Sequence, residues 1–165
     1  MSIFDYTELN KQKKQKEKQQ AEVTAAAHKK SELLEHRKKT LMSFIVQCLK
    51  DFPVMARKMK LKTKEIRTSG FLWTTVKEVW VLNEYNGNIV NSVGLDGVYY
   101  RRPSRYGSSN YIPIQVETMA ERIYLLLGLY SDGSNCIEQT LEEVKIFFNN
   151  ALLDQPLSRR EEYEY

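Results

Sequence analysis

From Ser31 onward, apolar side chains recur every three to four residues: Leu33 and Leu34, Leu41, Phe44 and Ile45, Cys48 and Leu49, then Phe52. That spacing lays one stripe along an α-helix. Pro53 disfavours helical geometry in the residue before it, so the helix is expected to end near Asp51. Asp51 then caps a second helix with Pro53 in its first turn, where a missing N–H does no harm. Residues 54–67 fit two patterns. Met55, Met59 and Ile66 make a helical stripe, whereas Met59, Leu61 and Thr63 alternate with lysines as in a strand. The Asp/Pro start signal favours the helix, and Thr68-Ser69-Gly70 reads as a loop.

Residues 71–116 read as sheet. Phe71–Tyr85 is dense in Val, Trp, Thr, Leu and Phe, which suit a pleated surface. Leu72, Val76, Trp80 and Leu82 share one alternating face, and Phe71, Trp73, Val79 and Val81 the other. Trp73 and Trp80 therefore point oppositely; one is expected in the core and the other is free for a functional surface. Asn86-Gly87 is the dipeptide of a two-residue type I′ hairpin turn, and Asp96-Gly97 repeats the signal. A meander follows, with strands near 72–85, 88–94 and 97–102. Tyr111–Val116 is a candidate fourth strand, which Pro113 consigns to an edge.

The C-terminal third returns to helix. Thr118-Met119-Ala120-Glu121 has the spacing of a capping box. Ile123–Tyr130 is apolar on nearly every side, and Asp132-Gly133-Ser134-Asn135 reads as a turn. Ile137, Leu141, Val144, Phe148 and Leu152 form the stripe of a last helix that Pro156 ends. Toward the N-terminus the pattern vanishes. Residues 10–20 hold no apolar side chain and cannot bury a face. The expected organisation is a polar basic extension over 1–30 (a frayed helix or disordered), a single α+β domain over 31–156 and a mobile acidic and aromatic tail over 157–165. The fold class is α+β: an N-terminal helical segment, a three- to four-stranded antiparallel meander and a C-terminal helical hairpin.

Composition narrows the function classes. The 165 residues are 42% hydrophobic and 28% charged, enough for one real core. Cys48 and Cys136 each lie at helical spacing and read as small core residues. Two thiols make no disulfide scaffold, which favours a reducing compartment. His28 and His36 offer no metal-ligand spacing, so neither a metal nor a cofactor is expected. The N-terminal stretch has no secretory pattern, and no apolar run approaches the ~18 residues of a membrane span. A cytoplasmic protein without a membrane partner is expected.

Charge divides the chain more sharply than the net +4 suggests. Residues 1–70 carry 17 Lys/Arg against 8 Asp/Glu, and residues 71–165 carry 8 against 13. In the basic half, Lys11, Lys13, Lys14, Lys16 and Lys18 form an arm. Arg57, Lys58, Lys60, Lys62, Lys64 and Arg67 form a second run. Such runs gain affinity for phosphate by counterion release. In the acidic half lies an Arg/Tyr island, with Tyr99, Arg101, Arg102, Arg105, Tyr106 and Tyr111 at its centre. Arg forks onto phosphate, and Tyr offers a stacking face to an unpaired base. The same residue types make hot spots in protein interfaces. With no Gly-rich phosphate loop and no rigidly placed His, catalysis is not expected. The expected function is a non-enzymatic nucleic-acid-binding accessory or regulatory protein. The competing class is a protein–protein interaction module, meaning an adaptor, assembly factor or inhibitor of a larger complex, using the same Tyr/Arg surface and the helical extension.

Overall fold

The computed structural model describes residues 5–69, 72–103, 110–129 and 137–159. Helix α1 runs from Tyr6 to Lys58. Asp5 caps it: its Oδ1 accepts hydrogen bonds from the Thr7 and Glu8 amides at 2.9 and 3.4 Å. The chain divides into two compact units, Met1–Lys39 and Thr40–Tyr165.

In the first unit no described residue is buried, and only Leu34 and Arg37 are half-buried. The pairs Lys13–Glu17 and His28–Glu32 lie one turn apart, at 4.0 and 3.4 Å. Exposed pairs of this kind contribute only ~0.3–0.5 kcal/mol each, so the helix rests mainly on the propensity of its Ala, Lys, Gln and Glu residues.

In the second unit the helix does not break at Asp51. It continues through Pro53, against the sequence expectation. A proline inside a helix costs about 3 kcal/mol. Leu41, Ile45, Leu49, Phe52 and Ala56 form one buried stripe across it. Each large apolar side chain buried contributes ~1.5–3 kcal/mol, so keeping Phe52 and Ala56 in line offsets the proline. The helix ends where Lys60 turns left-handed (φ 55) and the Leu61 amide reaches back to the Ala56 carbonyl at 2.9 Å. Trp80 Nε1 donates to the Leu61 carbonyl at 3.1 Å and pins that turn to the sheet.

Five strands follow the order of the chain: β1 (Lys64–Ser69), β2 (Thr74–Tyr85), β3 (Asn88–Gly94), β4 (Val98–Arg102) and β5 (Asn110–Ile114). Neighbours along this path are antiparallel. The helix favoured for residues 54–67 gives way to a strand at its end, and Thr68 and Ser69, read as a loop, belong to that strand. The ambiguous stretch divides, its first residues finishing α1 and its last forming β1. Asn86 and Gly87 both have positive φ (47 and 75), as a type I′ turn requires. The second hairpin is wider: Val93 pairs with Val98 across four residues, and the Gly94 amide bonds the Gly97 carbonyl at 2.7 Å. The sheet curls until the Ser69 amide, at the end of β1, donates to Asn110 Oδ1 at the start of β5, 3.1 Å away.

Helix α2 (Val116–Leu126) starts two residues before the expected capping box, and its N-cap Gln115 makes no side-chain cap bond. Helix α3 spans Ile137–Leu152. The first three residues of the expected tail form β6 (Leu157–Arg159), parallel to Asn83–Tyr85 of β2. The expected Asp132–Asn135 turn and Cys136 lie outside the described residues.

The main core joins the α1 stripe, Met119 and Ile123 of α2, and Val144, Phe147 and Phe148 of α3 to Trp80, Leu82, Val93 and Val98 of the sheet. On the other face of the sheet, inside the curl, Ile66, Val79 and Tyr99 form a smaller cluster edged by Ile89 and Tyr111. Register irregularities between Val81 and Glu84 turn Leu82 and Asn83 toward the same side.

Candidate nucleic-acid interface

Lys11, Lys13, Lys14, Lys16 and Lys18 all stand exposed on α1. Lys11, Lys14 and Lys18 share one face at helical spacing, while Lys13 faces Glu17. The second basic run does not form a single patch. Arg57 and Lys58 close the last turn of α1, and the Arg57 Nε–H donates to the Pro53 carbonyl at 3.4 Å. Lys60 and Lys62 are exposed on the connection to β1. Lys64 turns into the curl with Ile66 and pairs with Glu84 at 2.8 Å. Arg67 lies on the opposite face, across from Val76. Glu65 and Glu78 stand directly opposite each other on Arg67's face and confine its positive potential to the Ser69 end of β1.

The Arg/Tyr island also separates. Tyr99 is 4% exposed, and its hydroxyl donates to Asp96 Oδ1 at 2.8 Å. It is a core residue of the curl, not a stacking platform, because alternation along β4 turns it inward with Ile66 and Val79. Arg101 pairs across the ladder with Tyr111, and Arg102 with Asn110. Burial raises the Tyr111 hydroxyl pKa, while the nearby Arg101 charge opposes that rise. Arg102 is exposed. Arg105 and Tyr106 lie outside the described residues.

Curling brings part of both basic groups together. Ser69 bonds Asn110, and Asn110 pairs with Arg102, so β5 links the strand bearing Arg102 to the end of β1 that carries Arg67. Ser69 also pairs with Thr74, the residue after Trp73. Trp73 is 77% exposed, whereas Trp80 is 4% exposed. The two tryptophans thus divide as their spacing implied, one in the core and one outside. One rim of the sheet therefore runs from an open indole at the start of β2, past the end of β1 that bears Arg67, to β5 and Arg102 beyond it. Sequence reading did not place Trp73 on one rim with Arg102, because that rim depends on the curl that joins β1 to β5. The available signal was its position beside the loop that opens the sheet.

Near the opposite end of the β3–β4 hairpin, Asp96 is held from two sides. Lys77 Nζ donates to its Oδ2 at 2.6 Å, and Tyr99 donates to its Oδ1. The Lys77 bond is the main reason its carboxyl lies below the usual range. Burial, then the bond to Asp96, pushes the Tyr99 hydroxyl up to about 12. This triad uses its charges internally and offers no free base or acid.

Among the described residues, no group of three or more His, Cys, Asp or Glu is placed to hold a metal ion. No described helix is long and apolar enough to cross a membrane. No protein-family model, curated protein or solved structure matches the chain.

Proposed function

We propose that this chain is a non-enzymatic nucleic-acid-binding accessory or regulatory protein whose contact surface is the Trp73 rim. The observation that carries this reading is the exposed Trp73 beside the end of β1 that bears Arg67, on a rim that continues through β5 to Arg102. An indole takes over the stacking role first given to Tyr99. Stacking of one base contributes ~1–3 kcal/mol and tolerates any base. The arginines neutralise phosphates further along the rim, and the Lys11–Lys18 arm adds sequence-independent attraction. The reading involves no catalytic step.

Fluorescence tests it, because Trp73 is open and Trp80 is enclosed. Adding a generic single-stranded oligonucleotide at low salt should quench Trp73, with affinity falling steeply as salt rises. Trp73→Phe should abolish the quench, and Arg67→Ala with Arg102→Ala should reduce the salt slope. Absence of any oligonucleotide binding at low salt would sink the proposal.

A second reading, a protein–protein interaction module, is favoured by Leu72 and Val76, which are 72% and 52% exposed beside Trp73. Aliphatic surface of this kind serves a protein partner better than a phosphate chain. A stoichiometric protein retained in a pull-down after nuclease treatment, and lost with Trp73→Ala, would support it.

A further inference from the structure

A second feature of the sheet is independent of the Trp73 rim. A cleft of ≈590 Å³ opens among β2, β4, β6 and α2, lined by Asn83, Tyr85, Tyr100, Arg122, Leu126 and Arg159 among others. That volume lies within the usual span of small-ligand sites, about 300–1,000 Å³.

Its chemistry centres on Arg122. The guanidinium of this α2 residue lies over the Tyr100 ring, 4.5 Å from the centroid. Its Nε donates to Asn91 Oδ1 at 3.0 Å, and Asn91 in turn donates to Asn83 Oδ1 at 2.7 Å. Ring and amide chain together fix the plane of the guanidinium. Its two terminal NH2 groups make no hydrogen bond to any described residue, which leaves a pre-oriented fork. Arg159 supplies a second guanidinium from β6, anchored on the Leu126 carbonyl at the end of α2. Among the described residues, neither arginine has a carboxylate partner. Glu84, the one acid among the described residues of the lining, is held by Lys64 at 2.8 Å. The Tyr85 hydroxyl sits in the same wall, buried and without an acceptor.

We propose that this cleft binds a small phosphate monoester. Two guanidiniums with no carboxylate partner among the described residues match a dianion better than a monoanion, so charge selects phosphate over carboxylate. Arg122 would grip two phosphate oxygens as a fork, with Arg159 on a third. Val90, Pro103 and Leu126 give the organic body of the ligand an apolar wall.

Calorimetric titration of the full chain with phenyl phosphate tests this. The expected result is one saturable site with a Kd below about 1 mM. Arg159→Gln, on an exposed strand, should weaken binding about tenfold through loss of one charge-assisted contact. Arg122→Lys should do the same, since a point charge replaces the fork. The unfolding midpoint of each variant, followed through Trp80, identifies any loss caused by misfolding. Benzoate and inorganic phosphate should both bind more weakly than phenyl phosphate.

No saturable heat with phenyl phosphate overturns the proposal. So does equal affinity for benzoate, or unchanged affinity in both well-folded arginine variants. Inorganic phosphate binding as tightly as phenyl phosphate removes the organic body from the claim and overturns it in that form. Trp73, Arg67 and Arg102 variants should leave phenyl phosphate binding unchanged, so this test and the oligonucleotide test fail separately.

Discussion

Asn91→Ala tests whether a buried amide chain holds the sheet to α2. Asn91 is 2% exposed and Asn83 is 3% exposed. Asn91 is the middle member, donating to Asn83 Oδ1 and accepting from Arg122 Nε. Removing its amide strands the Asn83 oxygen in the core, which costs about 1–3 kcal/mol. The lost bond to Arg122 adds the lower part of the ~1.5–3 kcal/mol range for charged donors, since the half-buried guanidinium regains water. Together these give an expected loss of about 2.5–4.5 kcal/mol. Adding Asn83→Ala removes the stranded oxygen, so the double variant should lose less than the two singles combined, by roughly 1–2 kcal/mol. Urea titration followed by Trp80 fluorescence in a Trp73→Phe background reads both quantities. The midpoint should move while the slope stays constant. A loss below about 1 kcal/mol for Asn91→Ala, or strictly additive singles, would refute the reasoning, because neither is compatible with a stranded buried acceptor.

Three further outcomes are expected. The Lys77 bond depresses the Asp96 pKa, so its stabilisation is complete above the ordinary carboxylate range and lost as pH falls through the depressed value. Asp96→Asn should flatten that acid limb in a pH series of melts, and should lower the Tyr99 titration from about 12 as followed by phenolate absorbance. Burial raises the Cys48 thiol to about 11. In a Cys136→Ser background, its alkylation near neutral pH should therefore be roughly a hundredfold slower than that of a free thiol, and a rate equal to free cysteine would contradict it. A chain beginning at Thr40 should keep its cooperative Trp80 transition, because the first buried residue of α1 is Leu41; loss of cooperativity would mean that residues 5–39 support the core.

Local chemistry was legible where local rules decide. Asn86-Gly87 turned as its φ requirement dictates, and the expected stripes are buried in part: Leu41, Ile45, Leu49 and Phe52 of α1, and Val144 and Phe148 of α3, where Thr140, Phe147 and Ala151 complete the buried face. The errors arose where distant contacts override local preference. Pro53 signals a break, but Phe52 and Ala56 are held by the same core as Leu49. Residues 54–67 satisfied two periods because two elements meet there, and the end of the first is set by Trp80 gripping Leu61. Period-2 alternation sorted Val79 and Val81 from Trp80 and Leu82, yet it could not supply the irregularity that turns Asn83 toward Asn91. Of the candidate site, sequence found Arg67 and Arg102 but not their common rim, which requires the first and fifth strands to meet. Arg122 escaped entirely, since an isolated arginine on an amphipathic helix carries no signal until a tyrosine from β4 lies beneath it.

The short strand β6 has a consequence for the edge of β2 while the chain is being made. One side of β2 pairs with β1 over Thr74–Val79 and with β6 over Asn83–Tyr85. Without β6, the outer part of β2 would present unsatisfied amides and carbonyls to any passing chain, the template on which sheets aggregate. In chain order β6 follows every other described strand, so it is synthesised after them. Until then that edge is open, and a nascent chain depends on its surroundings to keep it unpaired. Leu157–Arg159 therefore acts as a closing seam, and a chain stopped at Pro156 would carry the fold together with its aggregation hazard.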